Sequence, residues 1–184
     1  MQKLKRKLEI DLKDIQLLIF DVDGVMTDNR MIFLSEHKEA KSFSAADGFA
    51  FRVVTQSKLF HLAVISARES EVTIRRCREL GITDICQNWN KLEALNQLMS
   101  KYDLATSQVG FVGNDIPDIV GMEKVGLAVC PLDTEKEVLD YSHYQTSRAG
   151  GKGCCREVID FILKAKGHDL VQLYRDGIEH SQTS

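Results

Sequence analysis

Four short apolar runs punctuate the chain, each ending on a polar or turn-forming residue. Leu17-Leu18-Ile19-Phe20 ends at Asp21, Leu62-Ala63-Val64-Ile65 at Ser66, Val109 to Val112 at Gly113, and Leu127-Ala128-Val129-Cys130 at Pro131. Runs of this length without polar alternation fit strands buried on both faces of a parallel sheet. Between them the apolar period changes to that of a helix. Val72, Ile74, Cys77 and Leu80 give a partial stripe over Glu69 to Leu80, with Gly81 as the stop. Leu92, Leu95, Leu98 and Met99 give an amphipathic helix from Lys91 to Tyr102, and Val158, Ile159, Ile162 and Leu163 another from about Cys154 to Lys166. Strands alternating with helices predict an α/β fold, a doubly wound, Rossmann-like parallel sheet.

One segment breaks the alternation. Met31-Ile32-Phe33-Leu34, the polar stretch Ser35 to Glu39, and Ala40 to Ser44 read as a β-hairpin, a flap over about residues 29–45. A helix follows, beginning near Asp47-Gly48. No insertion is long enough for a cap domain. Residues 1–167 are expected to form a single domain and 168–184, polar in composition, a loosely held tail.

With 184 residues, 43% hydrophobic and 28% charged, the chain has the composition of an ordered globule. Twenty-four basic against 27 acidic residues leave a net charge of −3, without the basic footprint of a nucleic-acid binder. The basic run Lys3 to Lys7 is followed by no apolar h-region, so it reads as a solvated terminus rather than a secretory signal. No apolar stretch approaches the ~18 residues of a membrane span. Five cysteines without C-x-x-C spacing argue against a disulfide framework or a zinc site. The expected compartment is the cytoplasm.

The first strand delivers Asp21-Val22-Asp23-Gly24-Val25-Met26-Thr27-Asp28 to the end of the sheet where α/β proteins bind ligands. A D-x-D alone is weak, since an Asp-rich turn is common. Other strand ends add complementary groups: Ser66 with Arg68 two residues on, Lys91 at the start of a helix, and the oxygen-rich Gly113-Asn114-Asp115-Ile116-Pro117-Asp118. A carboxylate nucleophile, a hydroxyl, a cation and an acidic metal cluster together suit phosphoryl transfer.

In order and residue type these four motifs resemble the haloacid dehalogenase (HAD) superfamily of aspartate-nucleophile phosphatases. Over roughly residues 12–166 the octet, the short hairpin, Asp47-Gly48, Arg68, Arg76, Lys91 and Arg148 to Gly153 are similar to its capless subgroup, the 3-deoxy-D-manno-octulosonate 8-phosphate phosphatases. The resemblance implies an aspartyl-phosphate mechanism. Asp21 would be the nucleophile, Asp23 the acid and base, and Ser66 and Lys91 the holders of phosphate oxygens. It implies Mg²⁺ on Asp21, the Asp23 carbonyl and a side chain among Asn114, Asp115 and Asp118. It implies substrate contacts from Asp23, Ser44, Asp47, Gly48, Arg52, Arg68, Arg76, Lys91, Arg148 and Lys152, and a homotetramer in which one subunit's hairpin lies over the next cleft.

The chain departs from the subgroup in two places. Gly113-Asn114-Asp115 stands where Gly-Asp-Asp is usual, so a neutral carboxamide replaces a charged ligand. Ser44 and Ala46 occupy positions that usually carry Asn and a basic residue. The resemblance puts Arg at the place of Arg68 in octulosonate enzymes and Glu there in nine-carbon-acid relatives, and a guanidinium can bind a sugar carboxylate bidentately where Glu cannot, which favours the eight-carbon acid. Two alternatives stay open: a phosphatase for a nine-carbon sugar acid 9-phosphate, and a weakly active tetramerisation module. Arg75 and Arg78 read as a solvated helix face, Trp89 as a packing or interface residue, His37 and His61 as structural, and Thr27 and Asp28 as turn organisers.

Overall fold

The computed structural model describes residues 2–3, 6–36 and 38–182, without the side chains of 2, 3 and 180–182. The strands are β1 (Gln2–Lys3), β2 (Leu17–Phe20), β3 (Ile32–Ser35), β4 (Lys38–Ala40), β5 (His61–Ser66), β6 (Asp84–Gln87), β7 (Val109–Val112), β8 (Leu127–Cys130) and β9 (Tyr144–Gln145). The helices are α1 (Ala45–Ser57), α2 (Glu71–Glu79), α3 (Lys91–Tyr102), α4 (Ile116–Met122), α5 (Lys136–Leu139), α6 (Cys154–Ala165) and α7 (Leu170–Gln182).

The sheet order is β1-β9-β8-β7-β2-β5-β6. Six strands are parallel, and the short edge strand β1 pairs antiparallel with β9. The apolar runs are continuous because each strand feeds two cores. Leu18 and Phe20 of β2 pack with Phe51 of α1 and Ile159 of α6. Leu17 and Ile19 face the opposite layer with Leu95 of α3 and Met122 of α4. The parallel α/β architecture expected from the alternation is therefore present. β2 lies at its centre between β7 and β5; the connection after β2 runs to β5 on one side and that after β7 to β8 on the other, which opens a crevice at their C-terminal ends.

Helix starts follow local side-chain chemistry. Ser44, Ser70, Asn90 and Asp115 each accept a backbone N–H at the first turn of α1, α2, α3 and α4. The hairpin is shorter than its sequence suggests: Lys38–Ala40 pairs with Ile32–Ser35, while Phe43 leaves that ladder to bridge Thr27. The chain must turn there toward α1, which ends the pairing. His37, expected in the hairpin turn, lies outside the described residues.

Two terminal expectations are corrected. Residues 170–182 form α7 rather than a loose tail. Asp169 Oδ1 accepts the N–H groups of Val171 and Gln172 at 2.9 Å each, and Leu170 is buried against the core that α1 lines. Tyr174 meets Phe49 of α1 edge to face at 5.2 Å. Within the basic run, Leu4 and Lys5 lie outside the described residues, but Arg6 is no solvated terminus. Its guanidinium donates to the carbonyls of Met122 (2.5 Å), Glu123 (3.1 Å), Tyr141 (3.1 Å) and Val125 (3.4 Å). That places positive charge at the C-terminal end of α4, where the helix dipole favours it.

Candidate active site

The centre of the site follows from β2. Asp21 leaves the strand with its N–H still bonded to the Val112 carbonyl at 3.0 Å, so its carboxylate projects from the sheet's C-terminal edge. Gly24 then turns the chain at φ +93°, a left-handed conformation suited to glycine. Thr27 closes the turn, accepting from the Gly24 N–H and donating to the Val22 carbonyl, both at 3.3 Å. The organising role read for Thr27 is thus visible. The glycine-rich loop before α6 buttresses the same turn. A Cβ on Gly150 would stand 2.0 Å from the Gly24 carbonyl oxygen, and one on Gly151 would stand 2.6 Å from the Thr27 carbonyl carbon.

Lys91 reaches Asp21 from the start of α3. Its ammonium donates to Asp21 Oδ1 and to Asp118 Oδ1, each at 2.6 Å, and all three side chains are buried. Asp118 Oδ2 accepts the N–H groups of Asn114 (2.9 Å) and Asp115 (3.1 Å), which fixes the loop after β7. Two carboxylates thus share one ammonium. Burial pushes Asp21 up to about 7 and the Asp118 charge adds to this, with the Lys91 ammonium opposing. Burial works against the Lys91 ammonium, but Asp21 and Asp118 outweigh it and hold its pKa above the usual value.

Asn114 faces this triad from the loop after β7. One end of its amide abuts Gly24, where a Cβ would stand 2.1 Å from it. The other end lies 2.9 Å from the Asp23 carbonyl oxygen and 3.3 Å from Asp21 Oδ2. With nitrogen at that end, the amide donates to both. Turned over, it presents a third oxygen. Three oxygens so spaced match neighbouring ligands of a hard divalent cation, which lie about 3 Å apart in an octahedron with ~2.1 Å bonds. The donors therefore fit a magnesium ion.

Asp115 and Asp118, also expected among the metal ligands, are not brought to that set. Asp115 is exposed and caps α4 through its bond from the Ile116 N–H at 2.7 Å. Asp118 is engaged as described. Among the described residues no cluster of three His, Cys, Asp or Glu side chains is placed to hold a metal, because the oxygen set includes a carboxamide and a backbone carbonyl.

Asp23 carries a second cationic contact. Lys41, just past β4, donates to Asp23 Oδ1 at 2.7 Å and to Oδ2 at 2.9 Å, with its side chain 1% exposed. Arg68 Nη1 stands 4.0 Å from Asp23 Oδ2, and Nη2 donates to Glu39 of the hairpin at 3.4 Å. Ser70 Oγ donates to the same Glu39 carboxylate. Lys41 was missed in the sequence because a lysine in a polar stretch reads as solvated. The signal lay in its place at the return end of the hairpin, facing the D-x-D turn.

The remaining expected residues separate into two groups. Ser66 ends β5 beside β2, its buried hydroxyl accepting from the Arg68 N–H at 3.3 Å and donating to the Arg68 carbonyl at 3.2 Å. Arg148 and Lys152 are exposed on the glycine-rich loop. Structural duties occupy several others. Ser44 caps α1 through the Asp47 N–H at 3.2 Å. Asp47 Oδ1 and Oδ2 accept the N–H groups of Arg156 (2.7 Å) and Gly153 (3.1 Å), so its carboxylate caps α6 from another helix. Burial raises its pKa, opposed by those N–H donors. Gly48 makes room for Arg76, whose Nη2 would be 2.3 Å from a Cβ there. Arg76 itself donates to Glu79 at 3.5 Å. Arg52 lies beside Gly81, before β6 and toward the N-terminal end of the sheet, not with the triad. His61 stacks on Tyr102 at 3.9 Å.

The chain matches no protein-family profile. It is 38% identical over 156 residues to the 3-deoxy-D-manno-octulosonate 8-phosphate phosphatase KdsC of Escherichia coli K12, covering 84% of this chain and 82% of that protein. The crystal structure of the phosphatase of that name from Moraxella catarrhalis, in complex with magnesium ion, phosphate ion and KDO, superposes with a TM-score of 0.81 at 35% identity, covering 85% of this chain and 90% of that one. A HAD superfamily (subfamily III A) hydrolase structure from Legionella pneumophila superposes at 0.85 with 30% identity, covering 92% of each chain.

Proposed function

Because the chain belongs to the 3-deoxy-D-manno-octulosonate 8-phosphate phosphatase family of HAD hydrolases, we propose that it hydrolyses that sugar-acid phosphate to the free acid and inorganic phosphate. The observation that carries the reading is the buried Asp21–Lys91–Asp118 triad beside the oxygens of Asn114 and the Asp23 carbonyl.

Asp21 Oδ1 attacks phosphorus as the bond to the sugar oxygen breaks, and the departing oxygen takes a proton from Asp23. Asp23 then removes a proton from water, which attacks the aspartyl phosphate, releases inorganic phosphate and regenerates the Asp21 carboxylate. Lys91 and the Ser66 hydroxyl hold the non-bridging oxygens as charge builds on them. Asp21 Oδ2, the Asp23 carbonyl and Asn114 would hold Mg²⁺, whose positive charge would keep Asp21 ionised and offset the negative charge of the phosphate. Arg68, one-third exposed beside Asp23, receives the sugar carboxylate. Arg148, against Gly153, and Lys152 add positive charge on the glycine-rich loop that backs the nucleophile turn.

The hairpin presents Phe33 and Leu34 at 69% and 66% exposure, and Trp89 stands 76% exposed between β6 and α3. Large apolar side chains so exposed favour burial against further copies, and a homotetramer would cover them. Five free thiols suit a reducing cytoplasm. Among the described residues no helix is long and apolar enough to cross a membrane.

Phosphate release from 3-deoxy-D-manno-octulosonate 8-phosphate and from a nine-carbon sugar acid 9-phosphate, with and without Mg²⁺, tests the reading. The eight-carbon ester is expected to have the higher kcat/KM, and Asp21→Asn to abolish release from both. Preference for the nine-carbon ester would move the substrate assignment. Release unchanged in Asp21→Asn would remove the mechanism. A light-scattering mass of 20.8 kDa would remove the tetramer.

A further inference from the structure

The geometry points to Lys41 as a positioning residue for proton transfer. It holds the ionised Asp23 by both oxygens, and when Asp23 carries its proton one oxygen still accepts from the ammonium while the other donates, so that the carboxyl group meets the leaving oxygen of the substrate in one fixed orientation. This rests on the phosphatase reading above.

Asp23 sits on the Val22–Met26 turn, and its backbone already serves the oxygen set through the carbonyl. Its side chain is half-buried at the mouth of the cleft and needs a restraint from another element. Lys41 supplies that restraint. Its Nζ lies 2.7 and 2.9 Å from the two oxygens, so rotating the carboxylate out of place breaks two charge-assisted bonds at once. The four-carbon stem is buried, at 1% side-chain exposure, and the ammonium has little room to follow Asp23 if it turns.

The anchor of Lys41 adds to the effect. It lies directly after β4, and Phe43, two residues on, bridges Thr27 at the end of the nucleophile turn. The flap and the D-x-D turn are therefore tied on either side of the lysine. Arg68, 4.0 Å from Oδ2, is longer, more exposed and engaged with Glu39. It can exchange its partly exposed bond to Glu39 for a substrate carboxylate while Lys41 keeps Asp23 in place. The two cations thereby divide the work of orienting the acid and recognising the sugar.

Three esters separate this role from its rivals. An eight-carbon sugar-acid phosphate and glycerol phosphate both expel alkoxides that need a proton. 4-Nitrophenyl phosphate expels a phenolate that leaves without one. Since kcat/KM reports steps only through aspartyl-phosphate formation, the aryl ester bypasses the acid. Lys41→Met is expected to lower kcat/KM roughly 100-fold on both alkyl esters, the lower end of general-acid contributions, and less than about threefold on the aryl ester. Lys41→Arg, which can grip a carboxylate with two donors, is expected to restore most of the loss.

Equal loss on all three esters by a folded Lys41→Met protein, or no rescue by Lys41→Arg, would overturn the assignment in favour of a structural role. Loss confined to the sugar acid would overturn it in favour of direct substrate binding. A wild-type protein inactive on every ester would overturn the phosphatase reading and this inference together.

Discussion

Replacing Asp118 by Asn tests whether the triad is a mechanical unit as well as a chemical one. The carboxylate, 1% exposed, accepts from Lys91 at 2.6 Å and from the Asn114 and Asp115 N–H groups at 2.9 and 3.1 Å. An amide keeps one accepting oxygen. If that oxygen faces the two backbone donors, its NH₂ faces the Lys91 ammonium. If it faces Lys91, its NH₂ meets two N–H groups. Either orientation opposes donor to donor in a buried place. Breaking a buried ion pair costs about 3–5 kcal/mol, and the retained Asp21 partner argues for the lower end, about 3 kcal/mol. For a chain of this size that lowers Tm by roughly 6–12 °C, at about 2–4 °C per kcal/mol. Urea unfolding at fixed protein concentration, with the slope unchanged, gives the free-energy difference. A variant within about 1 kcal/mol of wild type would show that the carboxylate neither fixes the loop nor anchors the lysine, refuting the reasoning.

Gly150→Ala should displace the nucleophile turn, because its Cβ would stand 2.0 Å from the Gly24 carbonyl oxygen. Activity should fall at least about tenfold, consistent with the cost of misplacing reacting groups. His143 is held near 4 by burial, with the Arg6 charge adding to the effect, and its Nδ1 accepts the Ala128 N–H at 2.8 Å. A depressed folded pKa means that the unfolded chain binds the proton first, so stability should decline as pH falls from about 6.5 toward 4. A His143→Gln variant should show a flatter decline in thermal melts over that window. Asp21, raised to about 7, holds its proton more tightly when folded, so without a cation its contribution to stability falls as pH rises from about 4 to 7. Mg²⁺ competes with that proton, and should raise Tm more at pH 8 than at pH 5.5.

The sheet was legible because its central strands are buried on both faces. That condition writes four apolar residues in a row into β2 and β8 and leaves no competing helical period. β6 was not legible for the converse reason. At the sheet edge, only Ile85 and Cys86 mark it among polar neighbours. α7 was missed where composition was weighed above spacing. Leu170, Leu173 and Tyr174 follow a helical period after the capping Asp169, but polar residues surround them. In the site, Asp21 and Lys91 could be brought to one end of the sheet because both sit at predicted element ends. The division of labour among the acidic residues could not. Whether a carboxylate meets an ammonium, a cation or a row of N–H groups is set by tertiary approach, and Asp47, Asp115 and Asp118 all meet backbone donors. Lys41 was hidden by the same rule, since its burial comes from the hairpin folding back over the turn.

The covalent intermediate on Asp21 can be trapped directly. Protein quenched during turnover of the sugar-acid phosphate with Mg²⁺, treated with borohydride and digested, should carry homoserine at position 21, the reduced form of an aspartyl phosphate. It should carry none when substrate is omitted. Reduction at a different aspartate, or an unmodified position 21 under conditions where phosphate is released, would contradict the account.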